Sequence, residues 1–239
     1  MDILILAAGK SSRVYKDIKT HKCLIKVNNQ SLIERIVNIA NSEKAINKIH
    51  IVTGFLSNKI KNELKSYKVN FIKNPLFKKK DMVHSIKLGL KKIDDDVIIS
   101  YSDVFYSKKL LHKIIKNMGK NIILPINKRW LKIWNIRKKD PFLDCETLKY
   151  NNKLELKEIG NQIKSIKDVM GQFMGLIFIP KNELSKFKDL INKNKDKNIQ
   201  TTELINISIK NNIKIKVLEN KSFWYEFDDY QDVKNFKKF

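Results

Sequence analysis

DILILAAGKSSRVYKDIKTHKCLIKV, residues 2–27, is the stretch on which the reading of the whole chain turns. Asp2 to Leu6, apolar from Ile3 onward, reads as a strand buried on both faces. It breaks at Ala7-Ala8-Gly9, a tight turn of small residues where backbone can approach a ligand closely. Lys10, Arg13 and Lys22 follow within one connection. Free backbone N–H groups together with charge neutralisation are what a polyanionic phosphate chain requires, so the expected ligand is a nucleotide.

The literal Gly9-Lys10-Ser11 is not a P-loop, because the glycine that motif places five residues earlier is Leu4 here. It is not a dinucleotide fingerprint either, since the second glycine of that pattern is Ser11. An ordinary strand-to-loop turn with solvated lysines has the same look in so basic a chain. The rest of the sequence decides between them.

At 239 residues the chain fits one domain, 1–239, with a sizeable core. Lys plus Arg number 49 against 25 Asp plus Glu, a formal charge of +24, which favours polyanionic partners. The excess is nearly all lysine, scattered rather than striped, and no aromatic residues interleave with it in a stacking pattern. Nucleic acid is therefore not the expected partner. Cys23 and Cys145 lie far apart without a second Cys or a His at metal-ligand spacing, as expected of free thiols in a reducing compartment. No apolar run reaches the ~18 residues that cross a bilayer, and the chain enters a strand without a signal-peptide profile, so the expectation is a cytoplasmic protein with no membrane partner.

Further along, SLIERIVNIANSEK has helical spacing behind Ser31, KIHIVTGF reads as a strand, SNKIKNELKSY as a helix and VNFIKN as a strand. DMVHSIKLGLKKI reads as a helix and DVIISYSDVFY as one strand with a polar tip. Strands alternating with helices argue for a doubly wound, mostly parallel α/β sheet, whose ligands sit beyond the carboxyl ends of its strands. Asp103 falls at such an end. A carboxylate there can hold Mg²⁺ against a triphosphate; the competing role is a helix cap, which Ser107 can fill instead. Beyond Pro125 the alternation breaks, and residues 126–172 read as an insertion carrying Trp130, Trp134, Arg137, Asp144 and Glu146. GQFMGLIFIP and IKIKVLEN then read as strands, with NELSKFKDLINK and TTELINISIKNN as helices between them. In FWYEFDDYQDVKNFKKF, alternation puts Glu226 and Asp228 on one face of a short strand before a terminal helix begins near Asp229.

These three places together resemble the nucleotidyltransferase family, and within it the bacterial phosphocholine and phosphonate cytidylyltransferases and the sugar-1-phosphate nucleotidyltransferases. LAAGKSSR and HKCLIKVNNQSLIER match the family's opening pattern, Asp103 its metal aspartate after a strand, and WYEFDDYQD its closing motif. The resemblance covers nearly the whole chain. It implies a Rossmann-like three-layer α/β/α fold with a mostly parallel mixed sheet and an inserted lid. It also implies nucleotide contacts at Leu6, Ala7, Ala8, Gly9, Lys10, Ser11, Arg13, Lys22, Asp81 and Ser85. Mg²⁺ would be held by Asp103 and Asp228, and Arg13, Lys22, Asp103 and Asp228 would carry catalysis. The sequence departs from the family pattern at Ser11, usually glycine, at His21, usually proline, and at Asp81, often asparagine. His21 is expected to leave the loop less rigid than proline would.

The implied reaction joins a nucleoside monophosphate, from CTP by overall resemblance, to a small phosphate- or phosphonate-bearing acceptor and releases pyrophosphate, in cell-surface polysaccharide biosynthesis. An ionised acceptor needs no general base, and no Ser-His-Asp or Cys-His set stands out. Trp130, Trp134 and Trp224 either line a cage for a quaternary ammonium, with Asp144 and Glu146 adding negative charge, or simply pack the insertion down. Gln172 and Glu226 complete the candidate acceptor contacts. A sugar-1-phosphate nucleotidyltransferase and a non-catalytic basic polyanion-binding protein are the alternatives. A metal-dependent glycosyltransferase would place an Asp-x-Asp pair at the metal strand, where Tyr101 and Phe105 flank Asp103 instead.

Overall fold

The opening apolar run forms β1 (Asp2–Ala7), and all six of its residues are buried. In a computed structural model, residues 1–79, 81–137, 144–194 and 198–236 are described. Along these residues β1 is followed by α1 (Ser12–Ile18), β2 (Lys26–Val27), β3 (Gln30–Ser31), α2 (Leu32–Asn41), β4 (Lys48–Thr53), α3 (Ser57–Glu63) and β5 (Asn70–Lys73). The middle of the chain supplies α4 (Met82–Leu90), β6 (Val97–Tyr101), β7 (Val104–Tyr106), α5 (Lys108–Lys116), β8 (Ile122–Asn127), α6 (Trp130–Arg137), β9 (Glu146–Tyr150) and β10 (Leu156–Gln162). The remainder is β11 (Gln172–Phe173), β12 (Leu176–Ile179), α7 (Lys181–Lys193), α8 (Thr201–Lys210), β13 (Ile215–Asn220), β14 (Trp224–Glu226) and α9 (Tyr230–Phe236).

β1 pairs in parallel with β4 on one side and β6 on the other, β5 lies beyond β4, and β12 runs antiparallel against β6. β8 follows β12 and carries β13 in parallel on its far side, with β11 antiparallel to its end. The chain first builds outward from β1 through β4 and β5, then returns to lay β6 on β1's other edge. That reversal opens a crevice at the carboxyl ends of β1 and β6, the place where open α/β sheets take ligands. Period-two alternation along β1 feeds two cores. Ile3, Ile5 and Ala7 pack with α2, α3 and α5, while Leu4, Leu6 and Ala8 pack with α4, α7 and α8. The result is three layers, each fully buried Ile or Leu contributing about 2 kcal/mol. α4 lies so close to β1 that a Cβ on Gly89 would come within 2.4 Å of a Leu4 methyl carbon, which is why a side chain is missing there.

Most sequence-based elements hold, with four corrections. GQFMGLIFIP, expected as one strand, is two, β11 and β12, broken at Met174-Gly175, where Gly175 takes a positive φ of 73°. DVIISYSDVFY is two strands, β6 and β7, broken at Ser102-Asp103, because β7 leaves the main sheet to pair antiparallel with β14. β14 ends at Glu226, so Asp228 stands on the connection after the strand rather than on it. The opening connection contains a helix, α1, that the sequence did not announce; only Val14 of its seven residues is buried, too little to set up an apolar period. Ser31 caps α2 as expected, its Oγ accepting from the Glu34 N–H at 3.2 Å. Within 126–172 the alternation does break, giving α6 and the antiparallel β9–β10 ribbon; residues 138–143 of the expected insertion lie outside the described residues.

Candidate active site

β1 delivers its carboxyl end into the crevice, and the Ser102 Oγ donates to the Leu6 carbonyl at 2.7 Å, locking the tips of β1 and β6 together. Asp103 follows at once. The β7–β14 pairing then sets Glu226 opposite Val104, and the Phe227 N–H donates to the Asp103 carbonyl at 3.0 Å. Two carboxylates 125 positions apart in sequence thereby converge on one cation. The Lys22 ammonium lies 2.9 Å from Asp228 Oδ1 and 3.3 Å from Asp103 Oδ2. Arg13 reaches Asp228 Oδ1 from the solvent side at 3.1 Å.

Burial by itself would lower the Lys22 pKa, but Asp103 and then Asp228 outweigh it and hold the ammonium protonated well above its ordinary range. Asp228 is pushed up by burial yet ends far below the usual carboxylate range, because Lys22 and Arg137 favour its anion. Asp103 and Glu226 move the other way: burial raises both, and the nearby Asp228 charge adds to it. Concentrated negative charge, partly neutralised by Lys22, Arg13 and Arg137, therefore marks the floor of the crevice.

Beside this floor lies a cleft of about 450 Å³. Of the expected nucleotide contacts, Leu6, Ala8, Gly9, Lys10, Ser11, Arg13, Lys22, Asp81 and Ser85 line it; Ala7 is fully buried beneath them. Gly9 faces open space, with nothing within 4 Å of a Cβ placed on it. The left-handed residue of the turn is Ser11 instead, at φ 53° and ψ 29°. That conformation is why glycine suits this position. The serine tolerates it while its Oγ accepts the Lys22 N–H at 3.0 Å. His21 is 3% exposed and spans the loop: Nδ1 accepts from the Cys23 N–H at 3.2 Å, which leaves the proton on Nε2 to donate to the Gly9 carbonyl at 2.9 Å. The expectation that His21 loosens the loop is corrected, since its ring ties the two ends together.

Asp81 caps α4, its Oδ1 accepting the His84 N–H at 3.3 Å, and its own N–H donates to Asn198 Oδ1 at 3.0 Å. Ser85 is buried and accepts from Asn74 Nδ2 at 3.0 Å. Sequence reasoning missed Asn74, Phe77, Lys78, Lys79, Asn198 and Gln200, which also line the cleft. They come from connections after β5 and before α8, where no local pattern points toward β1.

The expected acceptor residues divide. Trp130, Trp134 and Trp224 are 5%, 3% and 0% exposed, so of the two readings the burial accords with packing. Trp134 stacks on Trp224 with centroids 5.9 Å apart, Trp130 meets Trp134 edge-on, and the Arg137 guanidinium already lies 4.5 Å over the Trp134 ring. Gln172 is buried on β11, Asp144 lies in the turn before β9, Glu146 opens that strand, and Glu226 joins Asp103 and Asp228 electrostatically. Arg137, noted in the sequence without a role, is the larger omission. Its Nη2 donates to Asp228 Oδ2 and Asp232 Oδ2, both at 3.1 Å, its Nε to Asp232 Oδ1 at 3.1 Å, and its Nη1 lies 3.6 Å from Glu226. The available signal was rarity: arginine stands at only four positions, 13, 35, 129 and 137, in a chain rich in lysine. A planar fork is what lysine cannot supply.

The MobA-like NTP transferase domain matches residues 3–159. The chain belongs to this family. Over 98% of its length and 98% of the relative's, it is 30% identical to the CTP:phosphoglutamine cytidylyltransferase of Campylobacter jejuni. In structure it resembles the CTP:phosphocholine cytidylyltransferase of Streptococcus pneumoniae, with a TM-score of 0.73 at 19% identity over 99% of this chain and 97% of that one. It also resembles the inositol-1-phosphate CTP transferase of T. maritima, with a TM-score of 0.76 at 15% identity over 97% and 90%. This MobA-like chain is thus an enzyme, a nucleotidyltransferase. No helix among the described residues is long and apolar enough to cross a membrane.

Proposed function

We propose that this MobA-like chain is a cytidylyltransferase that moves CMP from CTP onto the phosphate of a small acceptor and releases pyrophosphate. The observation that carries the reading is the Lys22 ammonium, wedged between Asp103 and Asp228 at the edge of a cleft lined by the glycine turn. Full-length similarity to a phosphoglutamine enzyme supports a phosphorylated amino-acid amide as acceptor. The packed tryptophans count against a quaternary-ammonium cage.

In this reading the turn's backbone, Lys10 and Arg13 hold the triphosphate. A phosphate oxygen of the acceptor attacks the α-phosphorus; the new phosphorus–oxygen bond forms as the bond to the bridging oxygen of the β-phosphate breaks, and pyrophosphate departs with the electron pair. The acceptor is already anionic, so no protein base takes a proton. Lys22, held protonated by its two carboxylates, offsets repulsion between the anions and stabilises charge on the five-coordinate phosphorus.

Among the described residues no group of three or more His, Cys, Asp or Glu side chains is arranged to hold a metal ion. A pair of carboxylates meeting at one cation nevertheless fits Mg²⁺, which takes one or two carboxylates and fills its remaining positions with phosphate and water. Asp103 and Asp228 are the residues that would hold it. Bound there, Mg²⁺ supplies charge neutralisation at the triphosphate.

The test is pyrophosphate release from each of the four common triphosphates with Mg²⁺ and a panel of phosphoglutamine, phosphocholine, aminoethylphosphonate and sugar 1-phosphates. Turnover confined to CTP with a phosphorylated acceptor is expected. Silence with every pair sinks the reading.

A further inference from the structure

The connection from Gly9 to Cys23 carries much of the charge that faces the cleft, yet what fixes its shape is not the charge. Gly9 and Ser11 at one end are bound across the loop to His21 and Lys22 at the other, and the His21 ring is held in turn by the Cys23 N–H. The bridges share a logic. Ser11 uses its hydroxyl to accept the Lys22 N–H instead of capping α1, which begins at the next residue and receives no side-chain cap. His21 turns both ring nitrogens inward, one to each end of the loop, and packs its face 6.4 Å from the Phe55 ring. None of these atoms is placed to react.

We propose that Ser11 and His21 are positioning residues, a side-chain clamp that holds the phosphate-binding turn and Lys22 in their working relation before nucleotide arrives. The clamp substitutes two hydrogen-bonded side chains for the strain-free left-handed backbone of a glycine and the fixed φ of a proline at these positions. It lowers the ordering cost of nucleotide binding, since loop and lysine need not be brought together at that moment. The inference rests on the cytidylyltransferase reading for its functional meaning. The bridges themselves do not.

Four variants separate the cases. His21→Phe keeps a buried ring and loses both hydrogen bonds; His21→Gln keeps an N–H able to reach the Gly9 carbonyl. Ser11→Ala keeps the left-handed strain and loses the bridge, whereas Ser11→Gly loses both. Hydrogen exchange at the Lys22 and Cys23 amides, calorimetric affinity for Mg²⁺–CTP, and kcat and KM are measured on each folded protein. His21→Phe is expected to weaken CTP affinity and raise its KM about tenfold, the effect of the one lost bond that crosses the loop, to the Gly9 carbonyl, with kcat changed by less than about threefold. It should speed exchange at Cys23, His21→Gln should restore most of the affinity, and Ser11→Ala should be worse than Ser11→Gly. His21→Phe with wild-type exchange and wild-type affinity overturns the clamp. So does a variant set in which His21→Gln fares no better than His21→Phe. If the wild type binds CTP and turns over no acceptor, the reaction assignment fails while affinity and exchange still decide the clamp. If it binds no triphosphate, both are overturned.

Discussion

In the proposed reaction Lys22 carries the largest share of the chemistry assigned to one side chain. Its ammonium is the only described cation that meets both Asp103 and Asp228 within 4 Å, and burial removes the water that would otherwise screen it. Lys22→Ala is expected to cut kcat by a factor of at least ~100, because single electrostatic contacts to transition-state charge are worth about 3 kcal/mol. Steady-state pyrophosphate release measures it, with thermal unfolding as the control that the fold survives. His21 makes a different prediction, about stability. Burial, reinforced by the neighbouring Lys22 charge, lowers its pKa from 6.5 to about 4, against a smaller raising effect of the Gly9 carbonyl. Above pH 6.5 the ring is neutral in folded and unfolded chains alike. As pH falls toward 4 the unfolded chain takes up a proton that the folded one refuses, so stability declines across that window, by about 3 kcal/mol at most. Urea unfolding of wild type and His21→Gln at pH 7.5 and 4.5 should show a loss in the wild type that the variant lacks.

Among elements, α6 and α9 stand out because one residue staples them. Arg137 closes α6, and its fork is gripped by Asp232 of α9 and by Asp228 just before it. The Asn235 side chain returns the tie by donating to the Ile136 and Arg137 carbonyls. Arg137→Lys keeps the charge and loses the two-pronged grip. It should destabilise by about 3 kcal/mol, since breaking a buried pair strands its partners; chemical denaturation reads this directly. Because Asp228 is one of those partners, activity should fall as well. The contrast with β1 and α2 explains what was readable in the sequence. β1 announces itself through an unbroken apolar run and α2 through spacing plus a cap, both properties of neighbouring residues. α1 buries too little to show a period, and the β7–β14 pairing depends on residues about 120 positions apart. Ser11 was marked by its departure from glycine, but its left-handed backbone and the compensating bond to Lys22 belong to the folded loop. The tryptophans carried two readings, and only burial separated them.

At the scale of the molecule, the +24 charge is broadly spread, yet Lys10, Lys78 and Lys79 line the cleft, where the proposed reaction needs cations for an anionic nucleotide. Steering by such a field is screened within about 8 Å at physiological ionic strength. Raising KCl from 50 to 300 mM should therefore lower kcat/KM for CTP several-fold while leaving kcat nearly level, if buried Lys22 and exposed lysines act as separately as their settings indicate. A stopped-flow or steady-state salt series checks it.

The late arrival of β14 also has a temporal consequence. All eight strands of the main sheet lie before residue 221, whereas Asp228 follows it and reaches Asp103 only through the β7–β14 pairing. A ribosome extending this chain passes through a stage at which the main sheet has all eight strands and the proposed reaction centre still lacks an anion. Since domains begin to assemble during synthesis, the carboxylate pair proposed to carry the reaction comes together only after Asp228 has been made, later than the strands of the main sheet.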